Sequence, residues 1–143
     1  MENETDTLRC AADVGNLAEV TGFVEAHAER CALDTGKGIG LLIAVEEAFV
    51  NVCHYAYPGG TGDVELACGC DRGGFVVTMM DWGIPFDILS LPEPDTGADL
   101  MGRKIGGLGV HFIRTLTDEV SYRRDEGRNV LRMVLQRTDD GTA

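Results

Sequence analysis

Apolar and polar positions alternate, then recur at helical spacing, then alternate again along this chain. Leu8, Cys10 and Ala12 alternate with Arg9 and Ala11, which predicts a short strand ending at Asp13. Leu17, Val20, Val24, Ala28 and Cys31 recur at helical spacing behind Asn16, a residue suited to capping a helix. Asp34-Thr35-Gly36-Lys37-Gly38 ends that helix and begins a second, which Tyr57-Pro58-Gly59-Gly60-Thr61-Gly62 stops. Val64, Leu66 and Cys68 then alternate with polar neighbours, and Asp71-Arg72-Gly73-Gly74 turns the chain into the partner strand of a hairpin. In that second strand Phe75, Val77 and Met79 share a face with Asp81, so Asp81 points toward the helical layer. From Ile88 to Lys104 the pattern is loop-like, with Pro92, Pro94 and Gly97 excluding a long regular element. A helical run from Val110 to Leu116 follows. Val120 and Tyr122 then mark one strand, Asp125-Glu126-Gly127 a tight connection, and Leu131, Met133 and Leu135 the last strand. With no repeat and no linker, this order predicts one domain over residues 1–143, with an ordered core of about residues 7–137. The predicted class is α+β, a two-layer sandwich with helices on one face of a mixed, mostly antiparallel sheet.

The second helix carries the first candidate chemistry. Gly40, Ala44, Glu47, Asn51 and His54 fall on one stripe at helical spacing, beside an apolar arc of Ile39, Leu42, Ile43, Phe49, Val50 and Cys53. Glu47 and Asn51 stand one turn apart on that stripe. A carboxylate and an amide facing the same way can orient a hydroxyl and hold a hard cation that prefers oxygen ligands. Alone, such a pair is more often a solvated helix edge. Asp81, closing an apolar strand ahead of Trp82-Gly83-Ile84-Pro85-Phe86-Asp87, reads alone as a turn former. The run Gly106-Gly107-Leu108-Gly109 ahead of a helix is either an ordinary loop or a place where backbone N–H groups meet a phosphate.

Composition narrows the partners. A formal net charge of −12 argues against a nucleic-acid-gripping surface and against anionic membrane, and suits a basic partner or a charged ligand that arrives with a metal ion. The amino-terminal residues are acidic and polar, and the longest apolar runs, such as Ile39 to Val45, are too short to span a bilayer, which predicts a cytoplasmic protein. Cys10, Cys31, Cys53, Cys68 and Cys70 form an odd set without a framework, as expected of reduced thiols. Cys68-Gly69-Cys70 suggests a metal or redox pair, but alternation turns Cys68 inward and no second pair has zinc-finger spacing.

Taken in order, Glu47-x-x-x-Asn51, Asp81-x-Gly83-x-Pro85-Phe86-Asp87 and Gly106-Gly107-Leu108-Gly109 resemble the three nucleotide-binding boxes of the GHKL (Bergerat-fold) ATPases. The short form with Glu47-Ala48-x-x-Asn51 looks like the anti-sigma-factor serine kinases, and the resemblance runs from about Leu8 to Gln136. It implies ATP and Mg²⁺ between sheet and helices. Asn51 would ligate the metal, Asp81 would accept from the adenine amino group, and Gly83 would let the base approach. Gly107, Leu108 and Gly109 would meet phosphates, as would Lys104 or Arg103 from a nucleotide lid over residues 88–106, and Glu47 would act as general base. The implied partner is an anti-sigma-factor antagonist of the STAS type, with a sigma factor as a further partner and room for a homodimer. A nucleotide-dependent binding module that sequesters a sigma factor without turnover uses the same residues. Two positions depart from the pattern: Tyr55 stands where relatives often place a histidine, with His54 one residue earlier, and Glu46 falls on the apolar arc.

Overall fold

A computed structural model describes residues 5–71, 73–90 and 106–137. Strand β1 (Thr5–Ala11) is followed by a 3-10 turn (Val14–Asn16), α1 (Leu17–Arg30) and α2 (Thr35–Tyr55). The hairpin β2 (Asp63–Asp71) and β3 (Gly74–Asp81) leads to a short 3-10 turn (Ile88–Ser90), α3 (Gly106–Leu116), and a second hairpin, β4 (Glu119–Asp125) and β5 (Arg128–Gln136). The five strands lie in the order β1-β2-β3-β5-β4. Where the pattern predicts a mixed sheet, every pairing is antiparallel. The chain does cross from β3 through α3 to a strand of the same direction, β4, but β5 folds back and inserts between them. A tight turn permits only antiparallel return, and Glu126 (φ 52°) and Gly127 (φ 80°) supply it in the left-handed region that two-residue hairpin loops require.

One face of the sheet is the floor of the core. Leu66, Met79 and Leu131 stand opposite one another across β2, β3 and β5, as do Cys68, Val77 and Met133. On this floor α1 lays Val20, Val24 and Ala28, and α2 lays Leu41, Ala44, Val45, Ala48 and Phe49. Each large side chain so buried contributes about 1.5–3 kcal/mol. The apolar arc predicted for α2 is only partly core. Phe49 is buried, but Ile39 and Ile43 are 58% and 40% exposed. The helix is rolled so that Gly40 meets Leu116 of α3, where an added Cβ would come within 3.4 Å, and this turns Ile39 and Ile43 outward.

Local boundaries follow their caps. β1 ends at Ala11 rather than Asp13, because Asp13 caps the 3-10 turn through Gly15 N (3.1 Å). Asn16 occupies the amino-terminal position of α1, yet its side chain donates back to Ala11 O (3.0 Å) instead of capping. Asp34 caps α2 through Lys37 N (3.2 Å).

The expectation of five reduced thiols fails at one pair: Cys31 and Cys70 are joined, with Cα atoms 5.7 Å apart. Cys70 shares the inward face with Cys68 two residues earlier, and there it meets the end of α1. Cys10, Cys53 and Cys68 are free, and burial lifts the Cys53 thiol to about 11 and that of Cys68 to about 12. Among the described residues no helix is long and apolar enough to cross a membrane, and no cluster of His, Cys, Asp and Glu is arranged to hold a metal ion.

Candidate nucleotide site

The carboxyl end of β3, the carboxyl-terminal half of α2 and the β4–β5 hairpin converge on one cleft. Ala48, Asn51 and Val52 form its helical wall, Met79, Asp81 and Leu131 its floor, and Phe86, Ile88, Tyr122 and Asn129 its rim. The cleft among the described residues measures about 20 Å³, room for about one water.

Asp81 is 4% exposed and is fixed through one oxygen. Its Oδ1 accepts from Gly83 N (2.9 Å) and from Asn129 Nδ2 (2.8 Å). No donor among the described residues meets Oδ2, which leaves that oxygen for a ligand. Burial raises the Asp81 pKa, against the lowering effect of the Asn129 and Gly83 hydrogen bonds and the Arg124 charge. Asn129 is the hub of this arrangement. It stands directly opposite Asp81 in the β3–β5 register, and its Nδ2 also donates to Ile84 O (2.8 Å). Its Oδ1 accepts from Tyr122 Oη (2.5 Å), Phe86 N (3.1 Å) and the Arg124 guanidinium (3.1 Å). Arg124 also donates to Gly83 O (2.9 Å), tying the turn after β3 to the far hairpin.

Asn51 closes the other side. It is 1% exposed; its Nδ2 donates to Glu47 O (2.8 Å), and its Oδ1 is buried without a hydrogen-bond partner. Leaving a buried carbonyl oxygen unsatisfied costs about 1–3 kcal/mol, and such an atom in a cleft is a ready oxygen ligand for a hard cation. Glu47, one turn earlier, is half-buried, and its pKa is raised, first by burial and then by the neighbouring Glu46 charge.

Gly83 is required by packing: a Cβ there would lie 2.1 Å from Ala56 O, and the next residue, Ile84, donates its N–H to that same oxygen (2.9 Å). Tyr57 braces the same corner, donating to Asp63 O (2.6 Å) and accepting from Trp82 N (2.9 Å). Tyr55 packs its ring 5.4 Å from Phe86 at the rim, whereas His54 and Glu46 face solvent.

Gly107, Leu108 and Gly109, expected ahead of a helix, form its first turn, since α3 begins at Gly106. Arg103, Lys104 and most of the predicted lid fall on residues 91–105, outside the described residues. Its first part, Ile88–Ser90, is packed down, with Ile88 buried and Leu89 O accepting from Arg114 (2.6 Å). Asn129, Tyr122 and Arg124 were not singled out from the sequence. Asn129 did carry a signal, as the polar member of the inward series with Leu131, Met133 and Leu135.

This cleft, between an antiparallel sheet and a helix bearing an acid and an amide, is that of a histidine kinase-like ATPase domain. Residues 10–135 match the model of that family, and the chain belongs to it. Among curated proteins it is similar to the serine-protein kinase RsbW of Bacillus cereus strain G9842, 30% identical over 93 residues (62% of this chain, 58% of that protein). The RsbW of Bacillus thuringiensis strain Al Hakam is 29% identical over the same shares. The match thus spans less than two-thirds of those relatives' length. Among solved structures the histidine kinase AdeS of Acinetobacter baumannii superimposes with a TM-score of 0.51, covering 97% of this chain and 70% of that one at 12% identity, which speaks to fold alone.

Proposed function

We propose that this chain is an ATP- and Mg²⁺-dependent serine protein kinase that phosphorylates a STAS-type antagonist in a partner-switching system governing a sigma factor. The observation that carries this reading is the pairing, across one cleft, of the unpartnered Asn51 Oδ1 with an Asp81 anchored by one oxygen only.

Asp81 Oδ2 would accept a hydrogen bond from the adenine amino group while Asn129 and Gly83 hold the carboxylate still, and Gly83 would border the base. Asn51 Oδ1 contributes to holding Mg²⁺. When bound, the ion neutralises phosphate charge and orients the triphosphate. Backbone N–H groups of Gly107, Leu108 and Gly109, at the start of α3, would donate to phosphate oxygens, where the helix dipole favours negative charge. Lys104 adds a cation. Glu47 takes the proton from the attacking serine hydroxyl as its oxygen bonds to the γ-phosphorus and ADP departs. Burial, and then the neighbouring Glu46 charge, raise its pKa, which strengthens the carboxylate as a base.

The test combines calorimetric titration with ATP and Mg²⁺ and a transfer assay, using labelled ATP and a STAS protein encoded beside this one. Binding followed by label on a serine is expected. Absence of ATP binding overturns the reading, and a stable complex without transfer replaces it with the sequestering module.

A further inference from the structure

A second concave surface lies at the opposite end of α2, about 20 Å along the helix from Asn51 at 1.5 Å rise per residue. Here the end of α1 and the start of α2 part to leave a groove of about 130 Å³. Its apolar lining is Ala28, Leu33, Ile39 and Leu42, and its rim carries Glu25, Glu29 and Asp34. None of its lining residues is cationic. The nearest lysine, Lys37, is turned away, bound to Asp118 (3.1 Å) and Gln136 O (2.7 Å). Glu25 and Glu29 are exposed, and no ion pair among the described residues neutralises either. Ile43, 40% exposed one turn beyond Ile39, extends the apolar strip along α2 and leads to the exposed Glu46.

Exposed isoleucines one turn apart on a helix are costly for a monomer to leave bare, and a rim of one charge sign selects its partner by complementarity. The geometry points to a docking groove for a basic amphipathic helix of a partner protein. Its apolar side chains would lie at i, i+3, i+4 and i+7 along Leu33, Ile39 and Leu42, and its lysines or arginines would reach Glu25 and Glu29. In a chain of net charge −12, apolar surface and uncompensated acid coincide here. The groove is independent of phosphotransfer, and ATP binding measured in parallel separates its failure from that of the kinase reading.

The probe is a synthetic leucine–lysine amphipathic helix, compared with versions carrying glutamine or glutamate in place of lysine, against the full chain. The lysine peptide should bind best and shift the amide resonances of Ala28, Leu33, Gly38 and Ile39. Ile39→Glu, at an exposed position, should weaken it about tenfold or more. Glu25→Gln with Glu29→Gln should weaken it severalfold and flatten its salt dependence. The control Glu126→Gln, in the turn between β4 and β5, should change nothing. Should Ile39→Glu disturb folding, reversing charge with Glu25→Lys and Glu29→Lys decides the matter, since the glutamate peptide should then bind better than the lysine one. Equal loss in the Glu126→Gln control, shifts centred on Asn51 and Asp81, or equal binding of the glutamine peptide overturns the proposal. So does a dimer that Ile39→Glu converts to monomer, because a second copy would then occupy the groove.

Discussion

Asp81 is pinned by Oδ1 and open at Oδ2, so a single-atom change separates its two duties. In Asp81→Asn the amide oxygen can still accept from Gly83 and Asn129, which preserves the fold, but the group facing a ligand becomes a donor. ATP affinity should fall by about 1.5–3 kcal/mol, the worth of a hydrogen bond to a charged group, with the melting temperature nearly unchanged. Equal calorimetric affinity for both proteins would show that the base does not sit on Asp81. The pH dependence carries the same residues further. Burial raises the carboxyl pKa of Asp81 above 3.8 and that of Glu47 above 4.5, so the folded state holds these protons more tightly than the unfolded chain. Their contribution therefore favours the fold below the unfolded values and is lost as pH rises through the raised ones. Catalysis runs the other way, since a base must be ionised. The acid limb of the single-turnover phosphotransfer rate should fall off above pH 4.5. A limb at or below that value would remove Glu47 from the chemistry.

At the scale of elements, the proposed function divides the labour of α2 between adjacent turns, chemistry at Glu47 and metal at Asn51. Glu47→Ala should leave ATP affinity nearly intact while phosphotransfer falls by about a hundredfold or more, as for a lost general base. Asn51→Ala should abolish the Mg²⁺-dependent part of binding and, because it deletes an unsatisfied buried oxygen, should not lower stability by much. An unchanged Glu47→Ala rate or Mg²⁺-indifferent loss in Asn51→Ala breaks this division. Much of this was legible in the chain. Period-two alternation placed β2, β3 and β5 with the correct face inward, including Asp81, and the Glu47–Asn51 spacing set acid and amide one turn apart on α2, of which Asn51 lines the cleft. What escaped was non-local. The roll of α2 depends on its contact with Leu116, so nothing in the helix's own periodicity could show that Ile39 and Ile43 face out. Asn129 becomes part of the site only through strand register with a residue 48 positions earlier.

The covalent link between Cys31 and Cys70 is the whole-molecule feature that composition hid, because an odd cysteine count gives no hint of which two thiols meet. It also removes the thiol argument for a reducing compartment. The bond ties the end of α1 to β2 across 39 residues and encloses all of α2, the helix that bears Glu47 and Asn51. Closing a loop of that length restricts the unfolded chain by an amount worth about 2–4 kcal/mol. Reduction should thus lower the urea midpoint by the equivalent of that energy and raise the denaturant slope, since the opened chain exposes more surface on unfolding. Cys70→Ser should reproduce the reduced midpoint and no longer respond to reductant. Cys10→Ser, at a free and half-exposed thiol, should keep the full response. Identical midpoints with and without reductant would mean that the bond does not constrain the unfolded chain, and that α2 is held over the sheet by apolar packing alone.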